Sequence, residues 1–201
     1  MNASDAYAAL KSLGAVVVST SDAAATWRQS PPTAAQTLLR LARAGLVRRI
    51  RRGLFWVDGP IDPYRLPQYL TAPLESYVSL QSALSLRGLI EQIPHTVYAV
   101  SLARTQRIAT RAGMFSIHHI EPELFGGYDE LESGVRLATA EKALFDFAYF
   151  STARSRLFTA LPELELPPKL SRAEIKHWIA KVRSQRHRTI TRGKLESFGA
   201  L

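Results

Sequence analysis

Three helical patterns followed by a hairpin signal fill the first sixty residues, and few folds accommodate that order. Apolar residues at helical spacing predict the helices, and two β-prone runs joined by Arg51-Arg52-Gly53 predict the hairpin. A short strand is expected at Val16–Val18, and Ser30-Pro31-Pro32 is expected to form the turn before the third helix. The predicted helices are Asp5–Leu13, Ala23–Gln29 and Thr33–Ala44, and the predicted hairpin strands are Leu46–Ile50 and Leu54–Val57. This succession is typical of a winged helix-turn-helix.

The third predicted helix has two different faces. Its apolar stripe, expected to pack on the core, consists of Ala35, Leu38, Leu39 and Ala42. The opposite stripe combines hydroxyl, amide and guanidinium groups without a carboxylate, and consists of Thr33, Gln36, Thr37, Arg40 and Arg43. Because Gln can pair with adenine and Arg with guanine in the major groove, this stripe is expected to read DNA bases. The alternative is a solvated helix face, which would usually mix Glu with Lys.

The hairpin carries four arginines in five positions. These hairpin arginines are Arg48, Arg49, Arg51 and Arg52. They are expected to contact phosphates or enter a minor groove, since guanidinium groups bind phosphate through several donors. Alternatively, they protect an edge strand from aggregation, a purpose that Lys would serve equally well. Of the adjacent Phe55 and Trp56, alternation predicts that one enters the core, while a stacking role for the other is less favoured than packing.

The charge of the chain points to an anionic partner. The formal net charge is +9, and residues 1–60 carry eight basic side chains against three acidic ones, a local net charge of +5. Seven of those eight basic residues are Arg. Nucleic acid is the first candidate for a partner of such a region, although a basic protein need not have one.

A cluster of Gly and Pro residues predicts a domain boundary. Asp58-Gly59-Pro60-Ile61-Asp62-Pro63 is followed by Pro67 and Pro73, a composition typical of an extended linker. We therefore expect a DNA-binding domain at 1–60, a Pro-rich linker at 61–73 and a second domain at 74–201.

The second domain is expected to be α+β. The predicted helices are Ser76–Leu86, Ala140–Phe150 and a last helix from Ser171 to about Arg183, and the predicted strands are Val97–Leu102, Met114–Ile120 and Val135–Leu137. Irregular structure is expected at Glu121–Tyr128 and around Pro162, Pro167 and Pro168. Six basic residues and no acidic residue occupy 181–194. This basic tail either extends the contact with nucleic acid or is a disordered solubilising segment.

Signals for catalysis, metals and cofactors are weak. His118 and His119 are adjacent, so on a strand they point to opposite faces and cannot jointly bind one metal ion. Lys142 and Asp146, at i and i+4, are expected to form a surface ion pair. The chain has no cysteine, no Gly-rich phosphate loop and no metalloprotease or nucleophile-elbow motif. We expect no enzyme activity, metal or cofactor.

Nothing in the sequence predicts a membrane protein. The first ten residues lack the basic start and apolar run of a signal peptide, and no apolar stretch reaches the about 18 residues that span a bilayer. Together with the lack of cysteine, this leads us to expect a cytoplasmic protein.

Six blocks of the chain together carry a resemblance to a known protein family: Thr33–Leu38, Leu41–Val47, Arg52–Phe55, Tyr77–Leu84, Gly88–Ile90 and Ala138–Asp146. The more specific blocks are the Ser-Ala-Leu and Glu-Lys-Ala-Leu segments of the second domain, and the chain has Ala140 where many family members have Pro. In these blocks and in their order, the chain resembles the AbiEi antitoxins of bacterial type IV toxin–antitoxin systems.

The resemblance implies a transcriptional repressor that also acts as an antitoxin. An N-terminal winged helix would bind inverted repeats of double-stranded DNA in the promoter of its own operon, and the C-terminal domain would help to neutralise a nucleotidyltransferase-like toxin. Two alternatives remain open. The chain could be an enzyme that acts on nucleic acid or on the toxin through the Glu141–Asp146 block, with the winged helix for targeting, or an RNA-binding module.

Overall fold

The computed structural model of the chain describes residues 2–151 and 163–201. Within them it has eight α-helices and two sheets, so the expected α+β class is confirmed. The chain divides into two compact units, of which the first comprises Met1–Asp62 with Thr110–Ala112, and the second Pro63–Ala109 with Gly113–Leu201. None of the helices in the described part of the chain is both long and apolar enough to cross a membrane.

Three helices and a three-stranded antiparallel sheet form the first unit. The elements in chain order are α1 (Ala3–Lys11), β1 (Val17–Ser19), α2 (Thr20–Trp27), α3 (Pro31–Arg43), β2 (Arg48–Arg51) and β3 (Leu54–Trp56). The strand order is β1-β3-β2, with Val18 opposite Phe55 in the β1–β3 pair. Leu10, Leu38, Leu41 and Phe55 are buried in the common core of these elements.

Capping residues define the helices of the first unit. Ser19 begins α2 with a capping box, in which its hydroxyl accepts from the backbone N–H of Asp22 and the Asp22 carboxylate accepts from the N–H of Ser19. Ser30 caps α3, and two prolines occupy its first turn. The expectation that these prolines form a turn outside the helix is wrong, because the first helical positions need no N–H donor and tolerate Pro.

The Pro-rich segment after the first unit is not extended over most of its length. A 3₁₀ turn at Pro63–Arg65 leads into α4 (Pro67–Thr71), where Leu70 and Thr71 are buried. The extended linker expected at 61–73 is therefore wrong for these residues. Pro67 is the first residue of α4, a position that suits its fixed φ. Burial of Leu70 stabilises this short helix.

A six-stranded mixed sheet organises the second unit. Its order is β6-β7-β5-β4-β9-β8; β5 pairs in parallel with β7 and β4 with β9, whereas β4–β5 and β8–β9 are antiparallel. The strands are β4 (Ser76–Val78), β5 (Thr96–Ser101), β6 (Gln106–Thr110), β7 (Gly113–His119), β8 (Tyr128–Glu130) and β9 (Arg136–Ala138). The predicted helix Ser76–Leu86 is wrong at its start, because Ser76–Val78 is a buried strand and only the later residues are helical.

Besides α4, four helices among the described residues accompany this sheet, and one of them lies within the core. They are α5 (Leu80–Leu86), α6 (Ala140–Ser151), α7 (Arg172–Lys181) and α8 (Gln185–Ser197). In α6, seven consecutive residues, Lys142 to Ala148, are buried, so no side of that stretch is solvated. Most of the basic tail belongs to α8, where Thr191 and Leu195 are buried. The alternative of a disordered tail is wrong for these residues. Pro162, expected to be irregular, lies outside the described residues.

Candidate nucleic-acid interface

Helix α3 exposes four of the five polar residues expected to read DNA. Thr33, Gln36, Arg40 and Arg43 are exposed. Ser30 caps the N-terminus of the helix, and its hydroxyl lies 2.8 Å from that of Thr33. The accessible side of α3 therefore carries an amide and two guanidinium groups without a carboxylate.

Thr37 does not belong to this accessible side. It is only 3% exposed, and its hydroxyl accepts a hydrogen bond of 3.1 Å from the Arg40 guanidinium. The interpretation of Thr37 as an exposed base-reading residue is wrong. Its position orients Arg40 instead, because a guanidinium bonded to a buried hydroxyl has fewer conformations available.

The core-facing side of α3 is rotated from the expected stripe. The buried residues of the helix are Ala34, Thr37, Leu38 and Leu41. Ala35, Leu39 and Ala42, which were expected to share the core stripe with Leu38, are only half-buried. Because successive residues of a helix are about 100° apart, the accessible side centres on Leu39, Arg43 and Gln36 and extends to Ala35. We name Ala35 and Leu39 the apolar shelf of α3.

The hairpin β2–β3 presents its arginines to different degrees. Arg48 and Arg52 are exposed, whereas Arg49 and Arg51 are half-buried. The strand pairing shifts between Arg49 and Arg51, and Gly53 at φ +77° makes the turn. Such a shift changes the faces to which neighbouring side chains point, so the hairpin arginines do not simply alternate.

Both aromatic residues of the hairpin are buried. Phe55 and Trp56 are both 2% exposed, and the indole N–H of Trp56 donates to the carbonyl of Asp58. Phe55 belongs to the buried apolar cluster of the first unit and Trp56 does not, so the expectation that one of them enters the core is confirmed. Neither ring is accessible for stacking on a base.

Positive charge dominates the accessible groups of the first unit. Asp22 is engaged in the cap of α2, and Asp58 lies 3.1 Å from the ammonium group of Lys11. Within residues 2–151 and 163–201, no ion pair includes Arg40, Arg43, Arg48, Arg49 or Arg52. These guanidinium groups are therefore not neutralised by carboxylates of the described chain.

A pocket lies between α3 and the hairpin. Its volume is about 330 Å³, and it is lined by Thr20, Ala35, Leu39, Arg49, Arg52, Gly53 and Phe55. Both members of the apolar shelf contribute to it, as do two hairpin arginines. The sequence interpretation missed the shelf, because it assigned both shelf residues to the core.

The pair Lys142–Asp146 in the second unit is buried rather than at the surface. Both side chains are 0% exposed, and the ammonium group bonds to the carboxylate. The other carboxylate oxygen of Asp146 accepts from Tyr77 (3.0 Å) and Ser79 (2.7 Å). The Lys142 ammonium also lies 4.6 Å from the centre of the Trp178 ring. The expected surface ion pair is therefore wrong, because residues at i and i+4 on a helix meet equally well in a core.

Burial shifts the pKa values of this pair in opposite directions. It lowers the pKa of Lys142 and raises that of Asp146, while the attraction between the two groups opposes both shifts. Burial also raises the pKa of Tyr77 well above its ordinary value. Because neither charged group reaches solvent, the arrangement is suited to holding β4 against α6 and not to contact with a substrate.

The two adjacent histidines differ as expected. His118 is buried, with Nε2 3.0 Å from the Ser116 hydroxyl, whereas His119 is exposed. Burial lowers the pKa of His118 to about 4, so its ring is neutral near pH 7. In the described parts of the chain, no group of three or more His, Cys, Asp or Glu side chains is arranged to hold a metal ion.

Comparison with models of protein families gives no match for this chain. A search of curated protein sequences gives no match either.

Proposed function

We propose that the first unit is a winged helix that binds double-stranded DNA sequence-specifically, and that the chain acts as a transcriptional repressor. The observation that carries the proposal is the common placement of α3 and the hairpin around one open pocket, with exposed Gln36, Arg40 and Arg43 on the helix. In winged helices of this type, the helix enters the major groove, and the hairpin contacts the adjacent backbone.

The charge distribution supports DNA as the partner. Arg40 and Arg43 on the helix and Arg48, Arg49 and Arg52 on the hairpin form no ion pair within the described residues, so no carboxylate neutralises their charges there. Arg40 donates to Thr37 and Arg49 to the carbonyl of Arg51, and their other donors remain for phosphates and base edges. Contacts to phosphate would supply affinity that falls with salt, and contacts to bases would supply sequence preference.

Selection from a pool of random double-stranded DNA tests this proposal. The full chain is expected to enrich a common sequence, and fluorescence anisotropy is then expected to give tighter binding to that sequence than to a scrambled duplex of equal length. Equal affinity for the two duplexes over a range of salt concentrations would contradict sequence-specific binding. Stronger binding to single-stranded RNA of the selected sequence would favour the RNA-binding alternative.

We further propose that the repressor is the antitoxin of a type IV system and neutralises a nucleotidyltransferase-like toxin. This part rests on the resemblance of the Tyr77–Leu84 and Ala138–Asp146 blocks to AbiEi antitoxins. Growth rescue tests it, by co-expression of the full chain with a nucleotidyltransferase-like toxin from the same operon, if the neighbouring reading frame encodes one. Failure to restore growth at comparable protein levels would contradict the antitoxin role and leave DNA binding untouched.

The enzyme alternative has less support. In the Glu141–Asp146 block, Asp146 is fully buried, and the carboxylate of Glu141 accepts a 2.7 Å hydrogen bond from the backbone N–H of Ser171. Both acids therefore have structural partners.

A further inference from the structure

The accessible side of α3 combines hydrogen-bonding groups with apolar surface. Leu39 lies near the middle of that side, between the directions of Ala35 and Arg43, although α3 has a well-formed core stripe elsewhere. Leu39 packs against the core with part of its side chain, whereas Ala34, Leu38 and Leu41 are fully buried in it. The accessible part of Leu39 faces the pocket beside the hairpin.

We propose that the apolar shelf, Ala35 and Leu39, recognises the 5-methyl group of thymine in the major groove. This inference rests on the proposed DNA-binding function and deepens it by assigning a base class to residues that make no hydrogen bonds through their side chains. In unmodified DNA, the thymine methyl is the one apolar group that base pairs present in the major groove. An apolar side chain on a groove-facing helix therefore favours A·T pairs over G·C pairs.

The charge at the rim of the pocket favours DNA as the occupant. Arg49 and Arg52 line the pocket together with the shelf, and among the described residues no carboxylate lines it. A duplex whose base edge meets Leu39 would place a sugar–phosphate strand beside the hairpin, where these guanidinium groups can bind phosphate. The pocket volume of about 330 Å³ exceeds that of a methyl group, so a methyl group fits into it without a steric clash.

The predicted division of labour within α3 is specific. Gln36 and Arg40 provide donors and an acceptor for base edges, and the shelf contributes contact with methyl groups. The selected DNA site is therefore expected to contain at least one thymine whose methyl group is required. Thr33, the remaining exposed hydroxyl of the helix, lies about 120° from Leu39 around the helix axis and is not part of this contact.

Replacement of single thymines by deoxyuridine tests the proposal with the unchanged protein. Deoxyuridine keeps the base pairing and lacks only the methyl group, so each shelf-contacted thymine is expected to lose about four-fold in affinity. The substitution is made at every thymine of the selected duplex in turn and measured by fluorescence anisotropy. An affinity that stays unchanged at all positions would overturn the proposal. The same result is expected if the pocket binds a ligand other than DNA.

The variant Leu39→Ala connects the effect to the shelf. It is expected to bind the thymine duplex more weakly than the unchanged chain and to lose most of its response to deoxyuridine at the sensitive position. Leu13→Ala, at an exposed leucine of the first unit outside α3 and the hairpin, is the matched control and is expected to retain the full response. A full deoxyuridine response in Leu39→Ala would assign the methyl contact to other residues and overturn the proposal. If the unchanged chain shows no sequence preference, the proposed function itself fails, which is a separate result.

Discussion

Replacement of Lys142 by Met is expected to destabilise the second unit by about 3 kcal/mol. Removing one partner of a buried ion pair typically costs about 3–5 kcal/mol, because the other charge stays buried without compensation. Here Asp146 keeps its hydrogen bonds from Tyr77 and Ser79, both to one carboxylate oxygen, while the other oxygen loses the ammonium donor. The two remaining donors place the expected loss near the lower end of that range.

The measurement is urea denaturation of the full chain, followed by circular dichroism and tryptophan fluorescence. The matched control is Arg183→Ala, which removes an ion pair to Glu123 in which the two side chains are 71% and 48% exposed. Exposed pairs contribute about 0–1 kcal/mol, so the control is expected to stay close to the unchanged chain. A loss in Lys142→Met no larger than that of the control would refute the argument from burial.

The pH dependence of Lys142→Met provides a second check. Burial raises the pKa of Asp146, and without Lys142 the opposing attraction is lost. Between the ordinary carboxyl pKa and this raised value, the folded protein binds more protons than the unfolded chain. Stability therefore falls as pH rises through that window and recovers as pH is lowered from neutrality. A variant whose deficit relative to the unchanged chain stays constant on acidification would contradict a buried, charged Asp146.

Three further predictions concern DNA binding and stability. Gln36→Ala and Arg40→Ala are each expected to cost about 1–3 kcal/mol on the selected duplex and little on a scrambled one; equal losses on both would remove these residues from base reading. Replacing the four hairpin arginines with Ala is expected to reduce the slope of log affinity against log salt concentration by about 0.9 per lost phosphate contact. Lys11→Ala, at a residue already paired with Asp58, is the control. An unchanged slope in the quadruple variant would show that the arginines face solvent. Burial of neutral His118 predicts that stability falls as pH decreases from 6.5 to about 4, because the unfolded chain takes up the proton first. In urea titrations, His118→Gln is expected to reduce this loss of stability, and an unaltered pH profile would exclude His118 as its source.

Local signals in the sequence were sufficient for much of the first unit. Ser19 and Gly45 act at helix ends through a short-range hydrogen bond and a positive φ, respectively, and such effects depend on few neighbours. The hairpin was likewise predictable from two β-prone runs around Arg51-Arg52-Gly53. Four of the five proposed base-reading residues of α3 are exposed for the same reason, since helical spacing alone separates them from Leu38 and Leu41.

Tertiary packing determines which of two apolar stripes on α3 is buried. Ala34, Leu38 and Leu41 form one stripe, and Ala35, Leu39 and Ala42 form a second stripe one residue further along. A rotation of about 100° exchanges them, and local propensity does not distinguish the two orientations. Packing of the first stripe against α1, α2 and the sheet buries Thr37 and leaves Leu39 accessible.

The same limit applies to the second unit. The spacing of Lys142 and Asp146 is identical for a surface pair and for a pair in the core, and only the elements packed around α6 distinguish the two cases. Ser76–Val78 is a strand because β5 and β9 pair with it on either side. Val78 lies opposite Ala99 of β5 and Leu137 of β9, which are 21 and 59 residues away in the chain. The sequence by itself determined the helix caps, the hairpin and the basic charge; the tertiary structure decided which faces are buried, because burial depends on partners that are distant in the chain.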